Sequence, residues 1–490
     1  MLRGAAALYR PKCVSFAPSV SSSVGLVLVL VLLLNVLRNF TTTPTLSAGK
    51  QKEGKKKQVM KRTVERERIV KSTALTTKKF RDAVSVLNFE KTAAPLNGIA
   101  DFSSKLDVGT VTKFSKPTEE KLHYLKAFKK YQHHERFRHP TSIISGNTKK
   151  LNETFVQNLD QNSKLNRVYL DGPKGCGKST LVNQTIAGAL EKFNNDVVIL
   201  HLYSAEIIGN GTSDYVRNNR LGLWQQPMAT KRWLYRTFQT NAEVFKKMKL
   251  TKDVRFVSNK IEHSMKAGDS LHDYVLKNRE MKDGLPNNAF QFFIQQLIDN
   301  SSKIPVVLSV DDFNAMADCG TTPYFTPDYV PIKIQEFELA DTILKFASGE
   351  LNFEKGGVLL AKSSDFHPKR KTTHIAVYPE EEYDAYMKPP RLDLELSQRL
   401  ALNGGIKPFK VQGLSKEETH SLLSFWRDQE VLLVREDFRK PDYGNDAEAK
   451  AAARRAIFDS EKQFDKLVQS NFIVTQGNPH GLVKNLMLSY

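Results

Sequence analysis

The feature that most constrains the fold is a glycine-rich stretch between an apolar run and a helical pattern, RVYLDGPKGCGKSTLVNQ, residues 167–184. From Gly172 to Ser179 it satisfies the pattern G-x-x-x-x-G-K-[ST]. The glycines of this pattern let the backbone curl around a phosphate, and the following helix adds its positive end. The stretch therefore predicts a phosphate-binding loop between a buried strand and an amphipathic helix.

The predicted phosphate ligands are the residues of this loop and of the first turn of its helix. They are Gly172, Pro173, Lys174, Gly175, Cys176, Gly177, Lys178, Ser179 and Thr180. Lys178 is expected to reach the β- and γ-phosphates, Ser179 to bind Mg²⁺, and Thr180 to contact the α-phosphate.

Short apolar runs alternate with helical patterns after this point, which predicts an α/β fold with a parallel sheet and crossover helices. The candidate strands are residues 167–170, 197–203, 306–310, 358–361 and 409–411. They define a nucleotide-binding domain over 102–412. Within this domain, a helical lead-in up to about residue 166 precedes the first strand.

Two further regions are predicted to be helical. The interval from Ser179 to Asp311 is longer than one strand and one helix need. The extra residues, about 206–300, are predicted to form a helical insertion, and such insertions commonly contact partners. Ser415 and Glu418 have capping-box spacing and open a helical C-terminal domain over 413–490.

The run IPVVLSVDDF predicts a buried strand that presents Asp311 at its tip, where it would hold Mg²⁺ opposite Ser179. The alternative is a core strand followed by an ordinary Asp turn. In GGVLLAKSSD, Ser363 or Ser364 could end a strand beside the γ-phosphate, or could simply be a turn residue.

Catalysis of hydrolysis requires a group that orients water and a cation for the developing charge. Asp312 is the tentative catalytic residue, but it is a shorter acid than the Glu that related ATPases commonly place here. No arginine can be assigned as a finger, and the guanine signature N-K-x-D is missing, since NKIE at Asn259 lacks the Asp. The sequence favours nucleotide binding over turnover.

The charge of the chain is concentrated at its N-terminus. Of a net charge of +20, the first 80 residues carry +13, because they contain 16 basic and 3 acidic residues. Such an arm suits a polyanion, either nucleic acid or an anionic membrane surface, although a merely solvated tail is the alternative. The three cysteines, Cys13, Cys176 and Cys319, have no zinc or disulfide spacing, which favours a reducing compartment.

The first 40 residues are predicted to be a mitochondrial targeting segment, because they contain Arg and Ser but no acid. The eleven-residue apolar run Val24–Leu34 could instead be a secretory h-region, and it is too short to span a membrane. Residues 41–101 follow as a basic, extended arm. No transmembrane span is expected.

Four ordered motifs resemble the death-associated protein 3 family of mitochondrial ribosomal proteins: the glycine-rich loop, QQPMATKRWLYRTFQTNAEVF, VVLSVDDFNAM and VTQGNPHGLVKNL. The resemblance covers about residues 102–490. It implies a P-loop NTPase fold of the AAA-like, additional-strand type, with the five strands ordered 5-1-4-3-2. It also implies a place in the mitochondrial matrix, in the head of the small ribosomal subunit, with contacts to ribosomal RNA, neighbouring ribosomal proteins and the large subunit.

The resemblance also bears on the ligand. Family members are associated with guanine nucleotide, so GTP or GDP is expected by resemblance, whereas fold logic suggests ATP or ADP. Asn478, in GNP, matches a late motif that related switches use near the phosphates, although it could be a plain turn before a helix with Pro at its first position. The leading hypothesis is a structural or assembly component that holds a Mg-nucleotide. The alternative is an active NTPase that switches or remodels a partner.

Overall fold

The structure is a computed structural model, and it describes residues 98–258, 261–279, 289–319, 322–364, 370–380, 386, 392–429, 431–432 and 461–487. The predicted targeting segment 1–40 lies outside these residues, as does the basic arm 41–101 apart from residues 98–101. Within the described residues, no helix is long and apolar enough to cross a membrane.

The β-strands, in chain order, are β1 (Val111–Lys113), β2 (Thr141–Ile143), β3 (Arg167–Asp171), β4 (Val198–Leu202), β5 (Val216–Asn218), β6 (Leu223–Gln225), β7 (Val254–Ser258), β8 (Ile261–Met265), β9 (Val306–Val310), β10 (Gly356–Ala361) and β11 (Lys407–Lys410). The α-helices are α1 (Lys116–Tyr124), α2 (Gly146–Leu151), α3 (Lys178–Lys192), α4 (Glu206–Gly209), α5 (Pro227–Lys247), α6 (Leu271–Arg279), α7 (Ala289–Asn300), α8 (Asn314–Asp318), α9 (Glu338–Ser348), α10 (Thr372–Val377), α11 (Leu394–Ala401), α12 (Lys416–Asp428), α13 (Glu461–Thr475) and α14 (Pro479–Leu486).

The centre of the fold is a five-stranded parallel sheet with the order β11-β3-β10-β9-β4. Counted along the chain, this is 5-1-4-3-2, so the order that the family resemblance implies is confirmed. All five predicted strands are present. The strand over 306–310 has the predicted bounds, and the others differ from prediction by one or two residues at an end.

Both faces of this sheet are buried, because alternate residues of each strand enter different hydrophobic clusters. In β4, Val198, Leu200 and Leu202 pack into one cluster while Ile199 packs into the other. The second cluster also contains the apolar stripe of α3, including Ile186. The first cluster contains the apolar faces of α5, α7 and α9. The sheet therefore lies between two helical layers.

The insertion contains the two predicted helical stretches, as α5 and as the pair α6 and α7, but it is not purely helical. It also forms two antiparallel ribbons, β5–β6 and β7–β8. In the first ribbon the Asn218 side chain accepts backbone hydrogen bonds inside the turn, and Gly222 takes φ +70°. The lead-in, expected to be helical, likewise contains the ribbon β1–β2. These ribbons are two strands wide, too short for a period of two to stand out in the sequence.

The C-terminal helices α12, α13 and α14 form a third hydrophobic cluster around Leu423, Trp426 and Leu482. The predicted capping box is present: Ser415 Oγ accepts from Glu418 N, and Glu418 Oε2 accepts from Ser415 N. The lead-in packs against this cluster through Phe137, whose ring stacks on Phe425 with centroids 5.6 Å apart. The lead-in and the C-terminal helices therefore share one hydrophobic cluster.

Candidate functional site

The glycine loop, residues 172–177, joins the end of β3 to the start of α3, as the sequence predicts. Gly175 and Gly177 take φ +78° and +98°, in the left-handed region that favours glycine. At Gly175 an added Cβ would also come within 2.3 Å of His480 Cβ. The loop is thus held tightly against α14, and the N-terminal end of α3 faces the site.

The Lys178 side chain folds back over the glycine loop. Its Nζ donates to the carbonyl oxygens of Gly172 at 2.9 Å and Pro173 at 2.8 Å. It also lies 3.2 Å from Ser364 Oγ, which follows β10. The side chain is buried, so this ammonium is positioned by the loop and the sheet together.

Ser179 and Asp311 lie opposite each other as predicted. Ser179 Oγ donates to Asp311 Oδ2 at 2.7 Å, and Asp311 is only 3% exposed. Asp312 follows with φ +57°, a left-handed conformation that is uncommon outside glycine. The strand tip therefore places the Asp311 carboxylate against the start of α3.

A residue that the sequence did not single out completes this cluster. Lys129 Nζ lies 2.6 Å from Asp311 Oδ2 and 3.3 Å from Asp312 Oδ2. Burial alone would lower the pKa of Lys129, but the two carboxylates outweigh burial and raise it, so the side chain is an ammonium ion. In KAFKKYQ this lysine is one of several cations, and no local signal separates it from a solvated face.

Lys129 belongs to the strap, which we define as residues 126–137 of the lead-in. The strap crosses the start of α3: Ala127 O accepts from Asn183 Nδ2 at 3.2 Å, and Gln132 Nε2 donates to Thr180 Oγ1 at 3.2 Å. His134 Nε2 lies 3.2 Å from Gln132 Oε1. Burial, with smaller contributions from neighbouring histidines, lowers the pKa of His134 to about 4, so its ring is neutral at physiological pH.

The end of β10 is fixed by a buried amide. Asn314 accepts from Ser363 N at 2.7 Å and donates to Ser363 O at 3.1 Å. Next to it, Lys362 Nζ pairs with Asp171 Oδ1 at 2.8 Å, and Tyr378 donates to the other oxygen. Burial alone would raise the pKa of Asp171, but these two partners outweigh it and lower the pKa. Ser363 and Ser364 are therefore both at the site.

Asn478 forms the turn before a helix that the sequence offers as one alternative, and it also contacts the glycine loop. It is the N-cap of α14, with Pro479 at the first position, and its Oδ1 accepts from His480 N at 3.1 Å. Its Nδ2 donates to Lys174 O at 2.8 Å, and His480 N also lies 3.2 Å from Gly175 O. The helix start is thus bonded directly to the glycine loop.

These residues surround a cavity of about 620 Å³ with two different ends. One end, which we call the phosphate end after the ligand that the sequence predicts, is lined by Gly175, Gly177, Lys178, Ser179, Thr180, Asp311, Asp312, Ser363 and Ser364. The apolar end is lined by Val111, Phe137, Ile143, Leu422, Trp426, Val483 and Met487. Of the other predicted ligands, Lys174 also lines the cavity. Four do not line it: Gly172, Pro173 and Cys176 contact Lys178 Nζ, and Asn478 bonds the loop at Lys174 O.

Comparison with known proteins gives one family and two relatives. Residues 142–485 match a family model described as mitochondrial ribosomal death-associated protein 3. A relative from Schizosaccharomyces pombe, named small ribosomal subunit protein mS29, is 27% identical over 233 residues, which are 47% of this chain and 47% of the relative. A relative of the same name from Neurospora crassa is 23% identical over 347 residues, 69% of this chain and 71% of the relative. The match thus spans about half of the first relative and more of the second.

The family model covers well over half of the chain, from β2 within the lead-in to the last described helix. It spans the four motifs that carry the resemblance: the glycine loop, the start and body of α5, the Asp311 strand tip and the start of α14. The chain belongs to the mitochondrial ribosomal death-associated protein 3 family.

Proposed function

We propose that this chain is a structural constituent of the mitochondrial small ribosomal subunit and that it retains a purine nucleotide in the cavity described above. The ribosomal part rests on family membership and on the two relatives named as small ribosomal subunit proteins. The mitochondrial localisation predicted from the sequence agrees with the family. Its partners would be ribosomal RNA and neighbouring ribosomal proteins, with the large subunit as a further contact and the basic arm 41–101 on RNA phosphates.

The nucleotide part rests on one observation, the division of a single cavity into a phosphate end and an apolar end. A nucleotide has the matching division, with an anionic polyphosphate and a flat base. Lys178, the glycine loop and the start of α3 supply a cation and oriented helix N–H groups at one end. Trp426 and Phe137 supply apolar surface at the other. The volume lies within the usual range of small-molecule sites. This is the arrangement of a P-loop fold, which we assign to the sheet on the same grounds.

Ser179 and Asp311 have the oxygen chemistry that Mg²⁺ prefers, and the two would hold it together with phosphate oxygens. In the described part of the chain no group of three or more His, Cys, Asp or Glu side chains could bind a metal without that help. Magnesium, where it binds, would neutralise phosphate charge at this position.

The site is better suited to retention than to turnover. The side chain of Asp312, the candidate catalytic residue, is paired with Lys129 at 3.3 Å. Among the described residues that line the cavity there is no arginine to stabilise a transition state. The alternative is an active NTPase switch. It would be established if the assembled subunit hydrolyses nucleotide and if Asp312→Asn lowers the rate of hydrolysis but keeps nucleotide binding.

A retained nucleotide would stabilise the fold, since the strap, the sheet and the C-terminal helices all line the cavity. A ligand that binds only the native state stabilises it by RT ln(1 + [L]/Kd), about 2.7 kcal/mol at a hundredfold excess over Kd. We therefore assign the nucleotide the role of a folding and assembly ligand.

Two measurements test the proposal. The first identifies by mass the small molecule released from the purified full-length chain, where GTP or GDP, or else ATP or ADP, is expected. The second follows the chain in mitochondrial lysate through a sucrose gradient, where it should migrate with the small subunit. A chain that remains in the light fractions at low salt contradicts the ribosomal part, and a chain that releases no nucleotide contradicts the other.

A further inference from the structure

Lys129 Nζ bonds Asp311 Oδ2, the carboxylate oxygen that also accepts from Ser179 at the start of α3. We propose that Lys129 is a resident cation that replaces most of the charge of Mg²⁺, so that nucleotide retention is largely independent of Mg²⁺. This inference rests on the proposed nucleotide site and concerns how that site balances its charge.

The first argument is geometric. Ser179 Oγ and Lys129 Nζ bond the same oxygen, Asp311 Oδ2, at 2.7 and 2.6 Å. In P-loop proteins the hydroxyl and the carboxylate at these two positions share Mg²⁺. Here the hydroxyl bonds the carboxylate directly, and the ammonium group of Lys129 is the cation on the same carboxylate oxygen. A separation of 2.6 Å is that of a strong charge-assisted hydrogen bond.

The second argument is that the strap holds Lys129 in place through its backbone. Lys129 N donates to Gln132 Oε1 at 3.0 Å, and Gln132 is itself bonded to Thr180. Lys126 and His133, on either side, take φ +56° and +52°, two left-handed turns that bend the strap onto α3. A lysine on a solvated surface would not require this anchoring, because an exposed ion pair contributes little and varies in geometry.

The third argument is the charge balance. Asp311 and Asp312 would repel a polyphosphate unless cations neutralise them, which is one reason that such sites require Mg²⁺. Lys129 is paired with both carboxylates, and Lys178 lines the same cavity, so two cations stand against two carboxylates before any divalent ion binds. Lys362, which also lines the cavity, is already paired with Asp171. The site can therefore accept a polyphosphate without a metal ion.

The strap lies outside the residues that match the family model. The matched residues begin at 142, so the whole strap lies before them. The prediction concerns the lead-in of this chain and its contact with the strand tip.

The test is a titration of the full-length, nucleotide-stripped chain with the fluorescent probes mant-GDP and mant-ADP, in millimolar Mg²⁺ and in excess EDTA. For the natural chain, removal of Mg²⁺ should weaken binding by less than about threefold. In Lys129→Gln the same removal should weaken binding by at least about tenfold, which corresponds to about 1.4 kcal/mol. Lys130→Gln is the matched control, since Lys130 is exposed and does not line the cavity, and it should behave like the natural chain.

The outcomes separate this inference from the proposed function. If the natural chain binds only with Mg²⁺ present, the inference is wrong and the nucleotide site stands. If the natural chain binds neither probe in either buffer, the proposed nucleotide site fails and the inference fails with it. The measurement on the natural chain decides the matter even if Lys129→Gln does not fold. Lys129→Arg, which keeps the charge, should keep the weak dependence on Mg²⁺.

Discussion

The two ends of the cavity are assembled in different ways. Most of the phosphate end comes from one contiguous stretch, Gly175–Thr180, joined by residues that follow the strand tips of β9 and β10. The apolar end joins side chains from residues 111–143 to side chains from residues 422–487, which are distant in sequence and meet only through tertiary packing. One end is therefore a property of a local motif, and the other is a property of how two parts of the chain dock.

This difference has an energetic consequence. The side chains of the phosphate end are polar or charged, and their removal should weaken ligand binding more than folding. The side chains of the apolar end also belong to the third hydrophobic cluster, so their removal should destabilise the fold first. Changes at the two ends should thus separate binding from stability.

The largest effect is expected for Trp426→Ala at the apolar end. Trp426 is 4% exposed and packs in the cluster of α12, α13 and α14. Loss of a buried large aromatic side chain should lower the free energy of unfolding by about 3–5 kcal/mol. Chemical denaturation of the ligand-free chain measures this. Trp426→Phe, which keeps most of the volume, is the matched control. An unchanged unfolding midpoint in Trp426→Ala would show that the two ends do not differ as described.

Lys178→Ala should have the opposite profile. The ammonium group of Lys178 contacts two loop carbonyls, the Ser364 hydroxyl and the Cys176 thiol but no carboxylate in the described residues, so the ligand-free chain should lose little stability. Loss of a charge-assisted contact to phosphate should weaken nucleotide binding by about 100-fold, or about 2.7 kcal/mol. Isothermal titration with GDP and ADP checks the affinity. A Lys178→Ala chain that binds as tightly as the natural chain would mean that the ligand does not place phosphate at this end.

The same difference explains what the sequence could and could not predict. Gly172–Thr180 was readable because the chemistry of the glycine loop lies within a few residues, and Asp311 because it directly follows a buried apolar strand. Lys129 was not readable, because its role depends on a carboxylate 182 residues away along the chain, brought close by the strap. For the same reason, the sequence does not predict that Phe137 and Trp426 line the same end of the cavity. A motif predicts the geometry of residues close in sequence, whereas contacts between distant segments become visible only in the folded structure.

The third effect concerns the strap, where His134 lines the cavity. Its pKa is lowered in the folded chain from 6.5 to about 4, mainly by burial. The unfolded chain therefore binds the proton more tightly, so this contribution to stability is present above pH 6.5 and is lost as the pH falls toward 4. We expect a loss of about 1–2 kcal/mol between pH 7.5 and pH 5. Thermal unfolding measured across this range in the natural chain and in His134→Gln isolates the contribution, because the variant should show a shallower loss. Equal slopes would place the ring in contact with water rather than within the strap.

The smallest effect is expected at Asn478, which caps α14 and also bonds the glycine loop at Lys174 O. Two substitutions separate these two roles. Asn478→Ala removes both the cap and the bond to Lys174 O, and should cost about 1 kcal/mol of stability. Asn478→Asp keeps an oxygen for the cap but loses the Nδ2 donor, so stability should be retained while nucleotide binding weakens a few-fold. The comparison of the two variants, by denaturation and by titration, decides whether the tie positions the loop. If Asn478→Asp binds like the natural chain, Asn478 is only a cap, and the phosphate end depends on α14 for packing alone.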